Sequence, residues 1–398
     1  MLLNKARLLT PGPTPLPEQV RLALAQDMIH HRKGAFHDLM LKTQAQLQTL
    51  FGTSQPVLPL SCSGTGAMTA AVEALFAPGD TVVCANAGKF GERWSKIAQS
   101  RNLHIVEINV EWGCCISPED VESALAEHPE AKGLLIQLSE TSTGVLHPIR
   151  DIAAKLQGTD VLLVVDGISG VGISPCPMDE WGIDCLLTGS QKGLMLPPGL
   201  ALLALSERAW KVCEKVCEQN RGCFYFNLPA ERAKLAKGET HFTSPVNLIQ
   251  GLSVSMDLLL GEGLEALYHK QWALTQLCRR SIQAMGLMPF AKSNYTWGLT
   301  SVLLPDAVNG IKVVHDCEEQ YGVCISGGQD VLKGRILRIA HMGWIDWADL
   351  VAGLYAVNRC IVENGGFCGS HDFLEQGLAS YRAALEGETG TEPVLLHN

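Results

Sequence analysis

The chain has 398 residues, 46% hydrophobic and 18% charged, which suffices for a large core and more than one domain. Its formal net charge is −10 and its pI about 5.7, with no run of Lys or Arg, which argues against a nucleic-acid or anionic-membrane partner. The longest apolar runs, "VLLVV" and "LALLAL", are too short to cross a bilayer. "MLLNKARLLTPGPTP" has no apolar stretch of signal-peptide length, so a cytoplasmic location is expected.

In chain order, strand-like and helix-like segments alternate through the first half. "VLPLSCS" reads as a strand and "GTGAMTAAVEALF" as a helix. "TVVCAN" is a strand followed by a helix around "GERWSKIAQSR". "HIVEINV" is a strand, and "SPEDVESALAEH" a helix that opens on Ser117-Pro118. "GLLIQL" is a strand, "IRDIAAKLQG" a helix, and "VLLVVD" and "CLLT" are strands. Short apolar strands alternating with helices predict an α/β fold whose mostly parallel sheet is covered on both faces. From about residue 265, long helices ("LEALYHKQWALTQLCRRSIQAMG", "WADLVAGLYAVNRCIVEN") flank the short strands "TSVLLP" and "ILRIA". The expected organisation is an N-terminal arm over 1–20, a large α/β domain over 21–264 and a smaller C-terminal α+β domain over 265–398. The last twenty residues are expected to be loosely held.

Fourteen cysteines are scattered without any CxxC pair, which removes the usual spacing of zinc and iron–sulfur sites. Their one cluster, "CEKVCEQNRGC", reads as one face of a helix plus its exit.

Four stretches fall at strand ends, where open α/β sheets place their ligands. "SCSGTGAM" leads from a strand into a helix start, where free backbone N–H groups suit a phosphate. No GK[ST] follows, so it is not a Walker loop. "VLLVVDGISG" ends a very apolar strand on Asp166, a costly place for a carboxylate unless it meets a cation. Lys192 stands 26 residues further on in "GSQKGLMLPPGL", among small uncharged neighbours that lower its proton affinity and make it a nucleophile for aldehydes. "ILRIAHMGW" sets Arg338 inside an apolar strand, where a carboxylate partner is expected, either structural or a substrate's. Each stretch alone has an ordinary structural explanation: a turn, a cap, a surface lysine, a buried ion pair. Together they supply a phosphate cup, a partner for a protonated ring nitrogen, a reactive lysine and a carboxylate clamp. These are the requirements of pyridoxal phosphate chemistry.

The chain resembles the class V (fold-type I) aminotransferases, in their alanine–glyoxylate / serine–pyruvate branch. "TPGPTPLP", "SCSGTGA", "ANAGKFGERW", "SETSTGVLHP", "VVDGISG", "GSQKG", "HFTSPVNLI" and "GRILRIAHMG" carry the resemblance, in order, over roughly residues 8–360. It implies a homodimer that uses pyridoxal 5′-phosphate to move an amino group from alanine or serine to glyoxylate or pyruvate. By the same resemblance Lys192 carries the cofactor and Asp166 pairs with its ring nitrogen. Ser63, Gly64 and Thr65 cup its phosphate with Gln191 close by, Phe90 stacks on the ring, and Glu140 and Thr141 lie beside it. Thr243 reaches the phosphate of the other subunit, and Arg338 binds the substrate α-carboxylate. Thr240 stands where a relative has Tyr, which puts one phosphate contact in doubt. Two alternatives remain open at this point. The first is a cysteine desulfurase, against which Phe90 stands in place of a His over the ring. The second is a non-catalytic soluble hydrogenase accessory subunit, against which stand both Lys192 and Asp166.

Overall fold

Val57–Leu60 (β1), Thr81–Asn86 (β2), His104–Asn109 (β3), Ala131–Gln137 (β4), Leu162–Asp166 (β5), Cys185–Gly189 (β6) and Ala201–Leu205 (β7) form one seven-stranded sheet, ordered β1-β7-β6-β5-β4-β2-β3. The computed structural model in which they are seen describes residues 5–219, 223–367 and 369–387. β5, β6 and β7 are buried along their whole length, as the continuous apolar runs "LLVV", "CLLT" and "ALLAL" require of strands covered on both faces. Neighbouring strands are parallel except at β7, which runs antiparallel to both β1 and β6. The apolar run "LALLAL" did not announce that reversal, but chain length explains it. Residues 190–200 are fewer than the dozen or more that a parallel crossover needs, so the chain can only turn back. Lys192 lies in that turn.

The helices follow the strands. Gly34–Phe51 (α1) precedes β1. Gly64–Leu75 (α2), Gly91–Ser100 (α3), Pro118–Glu127 (α4) and Ile149–Leu156 (α5) each link successive strands. Ser117 starts α4 as the sequence suggests. Its hydroxyl accepts from the Asp120 amide at 3.1 Å, the Asp120 carboxylate accepts from the Ser117 amide at 2.8 Å, and Pro118 occupies the first turn, where its missing N–H costs nothing. Because β1, β2, β4, β5 and β6 all point the same way, the loops after them gather at one edge of the sheet.

Beyond Val246–Leu260 (α6) and Gly263–Ala284 (α7) lies a second, antiparallel sheet. Met288–Pro289 (β8), Leu299–Leu303 (β9), Ser326–Gly327 (β10) and Ile336–Ala340 (β11) are ordered β8-β9-β11-β10. Gly310–Tyr321 (α8), Trp347–Glu363 (α9) and Phe373–Leu385 (α10) accompany it. Two hydrophobic cores divide within α7: Leu267 and Tyr268 pack with the large sheet, Leu274 and Leu277 with the small one. Leu9 belongs to the second core. Arg7–Leu8 pairs in parallel with Val323–Cys324, and the Ala340 amide donates to the Leu9 carbonyl at 2.8 Å. The start of the chain is thus sewn to the small sheet, and the residues that follow it cross to the edge where Lys192 sits.

The chain end differs from expectation. Residues 379–385 belong to α10, which lies along α7 with Phe373 and Ala384 buried. At Gly377 a Cβ would stand 2.0 Å from the Ser281 hydroxyl, so only glycine lets the two helices approach so closely. Residues 388–398 lie outside the described residues. Cys213 and Cys217 sit one turn apart on the helix Glu207–Gln219, sulfurs 3.9 Å apart, and Cys223 is buried beyond it. The Cys217 thiol is pushed up to about 12, chiefly by its hydrogen bond with Cys213, which leaves it protonated and unreactive at neutral pH. Among the described residues no group of three or more His, Cys, Asp or Glu is arranged to hold a metal ion, and no helix is long and apolar enough to cross a membrane.

Candidate active site

The loop after β1 enters α2 at Ser63, whose extended backbone (φ −77°, ψ 167°) is that of an N-cap, yet its side chain caps no amide. A hydroxyl at this position ordinarily accepts from the helix's own first turn. Here it is left for something else, as are the first N–H groups of α2, which have no intrahelical acceptor. Gly64 follows because a Cβ there would come within 2.4 Å of Ile168, in the loop after β5.

β5 delivers Asp166, which is almost fully buried and accepts from the Ile168 amide at 2.8 Å. Burial raises its pKa to about 6. That amide and the charge of Arg93 oppose the rise. The turn after β6 delivers Lys192. Withdrawal from water lowers its pKa to about 8; Asp166 partly counters this, while Arg338 and Arg93 push it further down. Lys192 and Asp166 form no ion pair. The amine donates instead to the Pro11 carbonyl, and the Thr14 hydroxyl donates to the Lys192 carbonyl at 3.0 Å. A Cβ on Gly12, whose φ of +141° already favours glycine, would lie 2.6–2.8 Å from the end of the lysine chain. The N-terminal arm therefore lies directly over the lysine.

Ser63, Gly64, Thr65, Phe90, Thr141, Asp166, Gln191 and Lys192 line one cavity of about 200 Å³. The buried Oε1 of Gln191 has no hydrogen-bond partner. Four other residues named from the sequence do not line this cavity. Glu140, fully buried, accepts from the amides of Phe90 (3.1 Å), Gly91 (2.9 Å) and Ser142 (3.1 Å), from the Gln137 amide group (3.0 Å) and from the Ser142 hydroxyl (2.5 Å). Its carboxylate is spent on holding the start of α3, and so on placing Phe90, rather than on lining the cavity. Thr243, expected to reach the phosphate of the other subunit, is exposed and lies outside this chain's own cavity, and Thr240 turns its hydroxyl to the Phe242 carbonyl at 2.6 Å. Arg338 is 7% exposed and stands behind Thr141, donating to its carbonyl at 3.2 Å and to the Gly327 carbonyl at 2.8 Å. No carboxylate of the described residues pairs with it, although burial lowers its pKa.

The cavity also holds residues that the sequence reading passed over: Gly12 and Pro13 of the arm, Ser139, and Arg93. The arm gives no local signal, because its relation to Lys192 spans some 180 residues. Arg93 had one: three positions after Phe90 across the start of a helix, the two side chains share a face.

The family described as "Aminotransferase class-V" matches residues 11–345. A soluble hydrogenase small subunit from a Synechococcus species is 35% identical over 91% of this chain and 94% of its own length. The serine–glyoxylate aminotransferase of Methylorubrum extorquens is 32% identical over 91% of this chain and 92% of its own. The crystal structure of ureidoglycine–glyoxylate aminotransferase from Bacillus subtilis superposes with a TM-score of 0.90 at 25% identity, covering 96% of this chain and 99% of that one. The matched span runs from the arm over Lys192 to the strand of Arg338 and beyond, and the chain belongs to the class V aminotransferase family.

Proposed function

We propose that this aminotransferase moves the amino group of a small amino acid, serine or alanine, to a small 2-oxo acid, glyoxylate or pyruvate. The observation that carries the reading is the pairing in one cavity of a lysine held near neutral pKa with a buried carboxylate that it does not touch. The names of relatives support glyoxylate as acceptor, in a serine–glyoxylate aminotransferase and, at 30% identity, an L-aspartate–glyoxylate aminotransferase from Paracoccus denitrificans; the first supports serine as donor.

Pyridoxal 5′-phosphate is the cofactor of this class. The cavity fits it: an unspent hydroxyl and free amides at a helix N-terminus, a buried orphan oxygen on Gln191, an aromatic face at Phe90, and a desolvated amine. Ser63, Gly64, Thr65 and Gln191 would hold the phosphate, and Asp166 the ring nitrogen's proton. When bound, the cofactor supplies the carbonyl that takes the amino group and a ring that draws electrons from the substrate Cα. Lys192 Nζ, its proton affinity lowered to about 8, would hold the cofactor at that carbonyl carbon and would carry the proton to and from the substrate Cα. The N-terminal arm covers the lysine and excludes water from it. Arg338 binds the substrate carboxylate, its remaining donors lacking a protein carboxylate to satisfy them. No cysteine of the described residues lines the cavity, and burial pushes the Cys62 thiol beside the cup up to about 12, which leaves a desulfurase without a nucleophile.

A panel of donors and acceptors tests the reading. Serine or alanine alone is expected to convert the bound cofactor to its amine form, and glyoxylate or pyruvate to restore it. Sulfide release from cysteine, with no amino transfer to any oxo acid, would reverse it.

The active enzyme is a homodimer in this reading, located in the cytoplasm. Phe224 is 77% exposed, and Tyr225 stacks on Phe242 beside the Thr243 turn, an apolar surface suited to a second copy. Sedimentation should give a dimer, and Thr243→Ala should loosen the cofactor without altering the fold. A fully active monomer would contradict both.

A further inference from the structure

We propose that Arg93 is the cation that binds the cofactor's phosphate, an inference that rests on the pyridoxal phosphate reading of the cavity. A phosphate monoester carries nearly two negative charges at neutral pH. The groups that surround the N-terminus of α2 are Ser63, Thr65, Gln191 and backbone amides, and all of them are neutral. Lys192 is committed to the carbonyl. Arg93 is the remaining cation among the described residues that line the cavity.

Its geometry aims it at that end. One guanidinium nitrogen donates to the Thr65 hydroxyl oxygen at 3.2 Å, which leaves the Thr65 proton free to point toward an anion. The guanidinium carbon lies 4.9 Å from the centre of the Phe90 ring, so the group is held over the aromatic that forms one wall. No carboxylate of the described residues lies within ion-pair distance of it. Glu92 next to it is engaged by Lys89 and Lys96. A half-buried arginine with one neutral partner and four donors to spare, set against the amide end of a helix, is an anion site.

The competing role is a brace: Arg93 could act only by steadying Phe90 and Thr65. The two roles separate when cofactor and dephosphorylated cofactor are compared. Full-length protein freed of cofactor is titrated with pyridoxal phosphate and with pyridoxal, following absorbance of the captured aldehyde, for the wild type, Arg93→Met and Arg93→Lys. Arg93→Met is expected to weaken pyridoxal phosphate about ten- to a hundredfold, the range of hydrogen bonds to charged groups, and to leave pyridoxal within about twofold. Arg93→Lys should recover part of the loss, since an ammonium keeps the charge without the planar fork. Inorganic phosphate should promote pyridoxal capture by the wild type and not by Arg93→Met. Equal weakening of both aldehydes, or no weakening of either, overturns the assignment and leaves the cofactor reading standing. A wild-type protein that captures neither aldehyde overturns the cofactor reading and the assignment with it.

Discussion

Lys192→Ala is expected to leave a folded protein from which borohydride fixes no cofactor and whose turnover falls by about 10²- to 10⁴-fold from the lost proton transfer alone. The lost nucleophile adds to this. The arm makes the residue hard to replace: Pro11, Gly12 and Thr14 all meet this one side chain or its backbone, so no other amine shares its place. The same environment gives the wild type a pH signature. Only the neutral amine attacks a carbonyl, and desolvation brings its pKa down to about 8. Capture of added pyridoxal phosphate by the cofactor-free protein should therefore rise with a midpoint near pH 8 rather than in the ordinary lysine range above 10. Below about pH 6 Asp166 also takes up a proton and loses the charge that would hold the ring nitrogen, so the loss of capture on the acid side should steepen there. A midpoint in the ordinary range would refute the desolvation argument. Wild-type turnover by Lys192→Ala would refute the assignment of the lysine.

Arg338→Ala is expected to lower kcat/KM for the amino acid by roughly thirtyfold to several-thousandfold. A desolvated bidentate pair that loses one partner costs about 2–5 kcal/mol, at 1.4 kcal/mol per decade. The cofactor's absorbance should hardly move, because Arg338 stands behind Thr141 and does not line the cavity that would hold the ring. Arg338→Lys should restore only part of the activity. A structural role predicts the opposite pattern. Arg338 on β11 ties β10 at Gly327 to the turn at Thr141 that follows β4, so if that were its whole purpose, stability and cofactor would be lost while substrate affinity in the surviving protein stayed unchanged. Melting temperature and kcat/KM measured on the same variant decide between them.

Much of this architecture was local and so legible in the chain. Apart from the half-exposed edge strand His104–Asn109, the strands from "VLPL" to "CLLT" stand where their apolar runs lie, because a strand covered on both faces has no polar side to confuse the pattern. The helix at Pro118 begins where its capping box requires. The chemical kinds of residue at the strand ends, Ser63 to Thr65, Asp166 and Lys192, were legible for the same reason: each is conspicuous against its own neighbours. Glu140 shows the limit. Its place beside the ring followed from a resemblance, but two of the amides that hold its carboxylate, those of Phe90 and Gly91, belong to residues some fifty positions earlier, and nothing near it in the chain announces them.

By itself, then, the sequence determined where strands and helices form, which residues end them, and that a lysine, a carboxylate and the glycine-rich Ser63–Thr65 turn share one edge of a mostly parallel sheet. The tertiary structure alone decided the antiparallel return of β7, the closing of the arm over Lys192, the withdrawal of Glu140 and Arg338 behind the cavity wall, and the turning of Arg93 into it. The physical reason is that hydrogen-bond partners and desolvation belong to the space around a group. That space is filled by segments such as Pro11 and Lys192 that lie 181 residues apart and meet only when the chain has folded.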